Sequence, residues 1–263
     1  MHIVVCAKQV PNPEAAFSMF KVDEAAKRVV PAPGLPMVMS PFDEQAVEAA
    51  LRIRAMHPGT KLTVMSLGPE SARNAIKHGL AMGADEGVLI CDPALDEADG
   101  YVTAHALAAA IRKLGNCDLV LTGRQSADRD AGIVGAGIGE LLRLPVITYA
   151  KDMRVQDAAL RVERVLDDGT EVVEAALPAL VTVSNELGPP RTPNLRETMR
   201  AARKPVAVWK VSDLAVMGEG LHVRSTREGL YTPTKEGLCE FITGSVQEQA
   251  AALAQQLRAA NLV

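Results

Sequence analysis

The sequence predicts an α/β fold: an open, mostly parallel sheet flanked by helices, with an antiparallel section and a C-terminal arm. Three observations carry this reading. Short apolar runs alternate with helical stretches through the first half of the chain, the pattern of parallel strands joined by crossover helices. After Pro145 the rhythm changes to longer runs that fold back at Asp167-Asp168-Gly169, a hairpin turn signal. Beyond about Val216 the chain reads as an extended arm ending in one helix.

Four apolar segments have the short, continuous character of strands buried on both faces: Ile3–Ala7, Leu62–Ser66, Gly87–Cys91 and Asp118–Thr122. Between them, Asp43–Met56, Pro69–Met82 and Tyr101–Leu114 repeat small and aliphatic residues at helical spacing. The crossovers are therefore expected to be right-handed. Gln9–Ser40 breaks the pattern: Pro11, Pro13, Pro31, Pro33 and Pro36 punctuate it and leave room for a short hairpin around Phe20–Val30. The antiparallel section comprises Val146–Val155, Leu160–Leu166 and Glu171–Ala176. Glu186–Pro205, rich in Pro, Arg and Gly, reads as irregular, and Val206–Val211 returns as a short strand. The arm closes in a helix over Val246–Leu262, and its unburied apolar residues suggest a partner. Two parts are expected, residues 1–215 and the arm, 216–263.

The 263 residues, 48% hydrophobic and 23% charged, have the balance of an ordinary globular protein. A formal charge of -4 gives no global pull toward nucleic acid or anionic lipid, so any phosphate must be held locally. Four Phe, three Tyr and one Trp are too few for a base-stacking platform. Cys6, Cys91, Cys117 and Cys239 form no C-x-x-C pair, and the five histidines form no i,i+4 pair. Neither a zinc knuckle, a dithiol nor a metalloenzyme or hydrolase constellation is read, and no residue is assigned catalysis. The five apolar residues before Lys8 are too short for a signal-peptide core and no run reaches membrane-spanning length, so a cytoplasmic protein is expected.

The strongest local feature is the segment from Leu121 to Gly139, which begins at the carboxyl end of a predicted central strand, where open α/β sheets bind ligands. Gly132, Gly135, Gly137 and Gly139 open the following helix. Their backbone N–H groups and the helix N-terminus suit a phosphate or pyrophosphate, with Arg124 as a further contact. The spacing is not G-x-G-x-x-G, and no Walker motif is present. Gly-rich segments also serve helix packing. In Ser40-Pro41-Phe42-Asp43-Glu44, Ser40 or Asp43 either caps the next helix or touches a bound base or ribose. Asp128 and Asp130, close to Arg124 and Arg129, read as solvated ion pairs.

At these residues the sequence resembles the beta subunit of electron transfer flavoproteins, the FixA-like family. The resemblance covers nearly the whole chain, through Val4–Pro11, Ser40–Glu44, Leu80–Asp85 and Gly123–Gln125. Its most specific pieces are Val162–Val173 and Leu177–Thr182. It implies a Rossmann-like, adenine-nucleotide-binding domain in a heterodimer whose alpha subunit holds a redox-active FAD. By position it places the nucleotide against Cys6; against Ser40, Phe42 and Asp43; against Leu67; and against Gly123, Arg124, Gln125, Ser126, Asp128, Asp130, Gly132, Ile133 and Val134. Asn185–Arg191 resembles the loop by which the family docks dehydrogenases, with Leu187 as an exposed anchor.

Two branches of the family are echoed. Lys8-Gln9-Val10-Pro11-Asn12-Pro13 and Pro145–Tyr149 are similar to the branch with nitrogen-fixation and electron-bifurcating members, in which a second FAD occupies the site. Ser40–Glu44 is closer to the branch that binds AMP there. A second FAD would accept a hydride from a nicotinamide and split the electron pair, whereas AMP would be structural. The implied function is to carry electrons between dehydrogenases, of the acyl-CoA type, and a downstream acceptor. The alternatives are a universal-stress-type nucleotide-binding regulatory module, which would be a homodimer without flavin, and an NAD-dependent dehydrogenase, which the glycine spacing disfavours.

Overall fold

The computed structural model of the chain describes residues 1–216, 218–233 and 239–263. In chain order its elements are β1 (His2–Cys6), β2 (Gln9–Pro11), β3 (Phe20–Asp23), β4 (Arg28–Pro31), β5 (Met37–Met39), α1 (Pro41–Met56), β6 (Lys61–Leu67), α2 (Arg73–Met82), β7 (Glu86–Ile90) and α3 (Gly100–Leu114). There follow β8 (Leu119–Gly123), α4 (Val134–Leu142), β9 (Val146–Gln156), β10 (Ala159–Leu166), β11 (Gly169–Ala176), β12 (Ala179–Val183), α5 (Leu195–Arg203), β13 (Val206–Trp209) and α6 (Val246–Ala259). Nine strands form one sheet in the order β11-β10-β9-β12-β8-β1-β6-β7-β13. The seven from β9 to β13 are parallel, while β10 and β11 run antiparallel beside β9.

Alternation along the central strands fixes this arrangement. Ile3 and Val5 of β1, Leu119 and Leu121 of β8, and Val181 and Val183 of β12 point into a core shared with α1 and α2. Val4 and Cys6, Val120 and Leu180 point the other way, into a second core with α3 and Ile138 of α4. Both faces are dry, so the strands read as unbroken apolar runs. Each fully buried Ile, Leu or Val contributes about 1.5–3 kcal/mol of transfer free energy. Alanines at 104, 106 and 108–110 let α3 lie close to its neighbours.

The predicted strands and the first three helices are present with ends shifted by a residue or two, except that Glu70–Ala72 is a 3-10 turn before α2. Five features differ from the sequence reading. Gln9–Pro11 pairs antiparallel with Met37–Met39 in the stretch expected to hold one hairpin, and the last helix ends at Ala259 rather than Leu262. Ala179–Val183 is a fully buried strand inserted between β8 and β9, so the sheet continues parallel past the expected switch to antiparallel. Leu195–Arg203 is a helix, started by a capping box in which Asn194 and Glu197 satisfy each other's backbone N–H. The returning strand ends at Trp209, and Val211–Asp213 is a 3-10 turn.

The chain divides into two compact units, Met1–Lys21 with Val29–Glu228, and Val22–Arg28 with Gly229–Val263. In the second, α6 starts from a Ser245–Glu248 capping box and buries none of its residues. Of the expected arm, residues 217 and 234–238 lie outside the described residues. No described helix is long and apolar enough to cross a membrane.

Candidate functional site

Strand order reverses at β1: β6 and β7 follow on one side, β8 and β12 on the other. Open α/β sheets bind ligands beyond the carboxyl ends of the strands at such a switch point. A cavity of about 730 Å³ lies there, lined by the ends of β1 (Cys6, Ala7), β6 (Leu67, Gly68), β7 (Ile90) and β8 (Thr122, Gly123). Its wall continues through Arg124, Gln125, Ser126, Gly132, Ile133 and Val134. Ten of the fourteen sequence-predicted residues thus converge on one space, including Asp43; Ser40, Phe42, Asp128 and Asp130 do not line it.

Asp43 fixes the floor. Its Oδ2 accepts the Lys8 N–H at 2.8 Å and its Oδ1 the Gly123 N–H at 3.0 Å, so one carboxylate in the first turn of α1 ties the end of β1 to the end of β8. A Cβ on Gly123 would sit 2.6 Å from Asp43 Oδ1 and 2.7 Å from Phe42 Cβ, so only glycine fits there. Burial pushes the Asp43 carboxyl up to about 7, against the opposing pull of those two N–H groups. Asp43 therefore clamps two strands and does not cap α1. Ser40 holds the N-cap position but makes no side-chain cap bond. Its hydroxyl accepts the Ala127 N–H at 3.4 Å and so supports the loop from behind. Burial also pushes the Cys6 thiol far up, so Cys6 offers the cavity a protonated, apolar surface.

The loop after β8 is held by charge and by rings. Arg124 lies 5.0 Å from the Phe42 ring centroid and 5.9 Å from that of Tyr149, and its Nη1 donates to Ser184 Oγ at 3.4 Å. Its Nε is buried without a partner. Tyr149 reaches this position through a bulge in β9, where its φ is +60° and its N–H donates to Thr182 Oγ1 at 3.1 Å. Asp128 pairs with Lys8 at 2.6 Å, tying the loop to the strand that Asp43 also holds. Asp130 accepts from Gln125 Nε2 at 2.9 Å. The expected pairing of these acids with Arg124 and Arg129 is thus replaced by Lys8 and Gln125.

The α4 N-terminus is left open. Ile133 in its N-cap position provides no side-chain acceptor, and the first turn carries no acidic residue. The first amides of a helix have no intrahelical partner. Gly132, at φ +64°, turns the chain into them. The other glycines do something else: a Cβ on Gly135 would sit 2.7 Å from Thr122 Oγ1, and one on Gly139 2.2 Å from Val146 Cγ2. Gly132 shapes the turn into α4, whereas the lack of a side chain at Gly135 and Gly139 seats α4 on the sheet.

A further part of the wall is acidic and was not read from the sequence. Asp92, Asp96 and Asp99 line it, with Ser225 from the segment after β13. A helix start after Asp99 was legible, since Asp99 caps α3, but its contact 126 residues away was not.

Leu187 does not have the exposure expected of an anchor. It closes a 3-10 turn over Asn185–Leu187 and is only 7% exposed, packed into the core on the α1 side. Its carbonyl accepts from Arg52, and the buried Glu48 carboxylate holds both Arg52 and Arg191. The exposed apolar residues nearest in sequence are Leu195 (76%) and Met199 (55%), one turn apart on α5. Among the described residues no group of three or more His, Cys, Asp or Glu is placed to hold a metal.

Residues 29–214 match the electron transfer flavoprotein domain. The caffeyl-CoA reductase-Etf complex subunit CarD of Acetobacterium woodii is 38% identical over 267 aligned positions, covering 100% of both chains. An electron transfer flavoprotein subunit beta of Thermoanaerobacterium thermosaccharolyticum is 36% identical over the same extent. Protein FixA of Azorhizobium caulinodans is 37% identical over 82% of this chain and 77% of its own.

Proposed function

From the premise that the chain belongs to the electron transfer flavoprotein family, as a beta-type subunit with an alpha-subunit partner, we propose that the switch-point cavity binds an adenine nucleotide, FAD in preference to AMP. The regulatory-module alternative gives way to that membership. The observation that carries the reading is the α4 N-terminus, which no side chain caps and no acid shields, beside an arginine near two rings with a buried, unpaired Nε. Such a terminus is a ready site for phosphate.

The residues present fit the group. Amides of the Gly132–Gly135 turn and Arg124 would hold phosphate, while Cys6 and Leu67 at the strand ends offer apolar contact to a base. At about 730 Å³ the cavity is within the ~300–1,000 Å³ usual for cofactor sites. FAD is preferred because Lys8-Gln9-Val10-Pro11-Asn12-Pro13 and Pro145–Tyr149 are similar to the branch in which a second FAD occupies the site. When bound, FAD supplies one- and two-electron redox chemistry and AMP supplies none. The chain's own groups bind, orient and exclude water: Asp43 has both oxygens engaged by N–H donors, and Cys6 keeps its proton.

We further assign the pair to the cytoplasm and to electron exchange with dehydrogenases acting on CoA thioesters, in line with the name of the Acetobacterium relative. Docking falls to the exposed α5 face with Leu195 and Met199, since Leu187 is engaged in the core. The test is to co-express the chain with its alpha subunit, denature the purified pair and quantify released FAD and AMP. Two FAD per pair supports the reading. One FAD and one AMP moves it to the single-flavin form, and one FAD with no second nucleotide overturns it.

A further inference from the structure

Three cations line the cavity: Lys8, Arg124 and Arg129. Two of them are committed within the protein. Lys8 Nζ donates to both oxygens of Asp128, at 2.7 and 2.6 Å. Arg124 lies near the Phe42 and Tyr149 rings and donates to Ser184 Oγ. Arg129 differs. Its backbone N–H donates to the Ser126 carbonyl at 3.4 Å, but its guanidinium has no ion pair, hydrogen bond or ring contact among the described residues. The acids on either side of it in sequence, Asp128 and Asp130, are taken by Lys8 and Gln125.

Arg129 stands just ahead of the α4 N-terminus. Asp130, at φ +49°, and Gly132, at φ +64°, turn the chain between the two. Three residues span at most ~11 Å of chain, so the long arginine side chain can reach the first amides of α4. That terminus also has an acidic neighbour. A Cβ on Gly100 would sit 2.5 Å from Ile133 Cδ1, so the first turn of α3 rests on the residue that precedes α4. Asp99 caps that turn and lines the same cavity. Burial works against charge on Asp99, but the N–H groups of Val102, Arg224 and Ser225 outweigh it and hold the carboxyl below its ordinary range. A phosphate at the α4 N-terminus therefore meets a fixed negative charge beside it, which the partial charge of a helix end, about half a unit, only partly offsets.

We infer that Arg129 is a phosphate-binding residue of the cavity: its uncommitted guanidinium closes on the nucleotide phosphate held at the α4 N-terminus and offsets the charge of Asp99. The fork of an arginine donates two parallel N–H bonds to phosphate oxygens, which a lysine cannot do. The inference rests on the nucleotide-binding reading above and goes beyond it by giving the phosphate a side chain outside the positions that the family resemblance assigns.

The test uses the two-subunit protein stripped of nucleotide and titrated with FAD, AMP and adenosine. Arg129→Gln should weaken whichever of FAD and AMP the wild-type pair binds by about 10-fold, the lower end for a hydrogen bond to a charged group. Arg129→Lys, which keeps the charge and loses the fork, should fall between wild type and Arg129→Gln. Adenosine, which has no phosphate, should bind wild type and Arg129→Gln alike. The loss in Arg129→Gln should also shrink as KCl is raised from about 0.05 to about 0.5 M, because salt screens an exposed cation. Unchanged affinity for FAD and AMP would make Arg129 a solvated surface charge and overturn the proposal. An equal loss with adenosine, or a loss that salt leaves untouched, would mean that the residue only supports the wall, and would also overturn it. Gly132→Val separates the two readings: it should abolish binding of FAD and AMP, and wild-type affinity there would refute the phosphate place at α4, as would a wild-type pair that binds none of the probes.

Discussion

Replacing Asp43 tests the clamp beneath the cavity. In Asp43→Ala the Lys8 and Gly123 N–H groups, now at 2.8 and 3.0 Å from the carboxylate, lose their acceptor inside a buried junction. Each unsatisfied buried donor costs about 1–3 kcal/mol, so the variant should lose about 2–6 kcal/mol, a large part of the ~5–15 kcal/mol that holds a typical domain. Asp43→Asn keeps one acceptor and turns an amide N–H toward the other donor, so its loss falls in the lower half of that range. The pH dependence carries more information. The folded carboxyl titrates near 7, above its ordinary value of 3.8. The folded state therefore holds the proton more tightly than the unfolded chain, and its contribution is fully present below about 3.8 and lost as pH rises through 7. Asparagine does not titrate. Pulse proteolysis of the two-subunit protein across urea, read from the band of this chain, gives the stability of wild type and Asp43→Asn. The advantage of wild type should shrink from pH 5 to pH 9. An advantage that widens over that span would mean that the two N–H groups outweigh burial, and the account of this carboxyl would be refuted.

Leu187→Ala removes a core side chain and should cost about 2–5 kcal/mol, whereas Leu195→Ala, at an exposed position, should move the thermal midpoint of the pair scarcely at all while slowing electron exchange with the dehydrogenase; equal midpoints for the two variants would contradict the burial of Leu187. Gly139→Ala places a Cβ 2.2 Å from Val146 Cγ2 and should cost about 1–3 kcal/mol in urea unfolding, with less effect if α4 shifts to relieve it. Glu48 is opposed by burial, but hydrogen bonds from Arg191 and Arg52 outweigh it and lower its carboxyl. Its contribution is present above the ordinary 4.5 and lost as pH falls through the folded value, so limited proteolysis of residues 185–193 should accelerate in acid, and Glu48→Gln should show that rate already at pH 7.

The central strands were legible because burial on both faces leaves a local signature, an unbroken apolar run. The loop after β8 was legible as cavity wall because Gly123–Ser126 and Gly132–Val134 follow the strand end directly in sequence. Ala179–Val183 is short enough to be taken for the tail of a hairpin, and its partners β8 and β9 lie elsewhere in sequence. The start of α5 was written in Asn194-Leu195-Arg196-Glu197, but prolines on either side concealed it. Asp43 shows the limit of local reading: an acid in a first helical turn looks like a cap, and only the meeting of β1 with β8 makes it a clamp. Leu187 failed for the same reason, since prolines around a leucine do not tell whether α1 lies beneath it. Asp99 gave away its helix and not its second partner.

The place of β1 in the sheet has a consequence for synthesis. Ile3 pairs with Leu62 on one side and with Leu119 on the other. The first strand made must therefore wait, apolar and unpaired on one edge, while more than fifty further residues leave the ribosome. At about 5–20 residues per second that interval is roughly 3–12 s. Until Gly123 arrives, Asp43 has only one of its two amides and the cavity has no floor. The nascent chain is thus a long-lived exposed edge, and variants that slow elongation between β6 and β8 should aggregate before the cavity is ever closed.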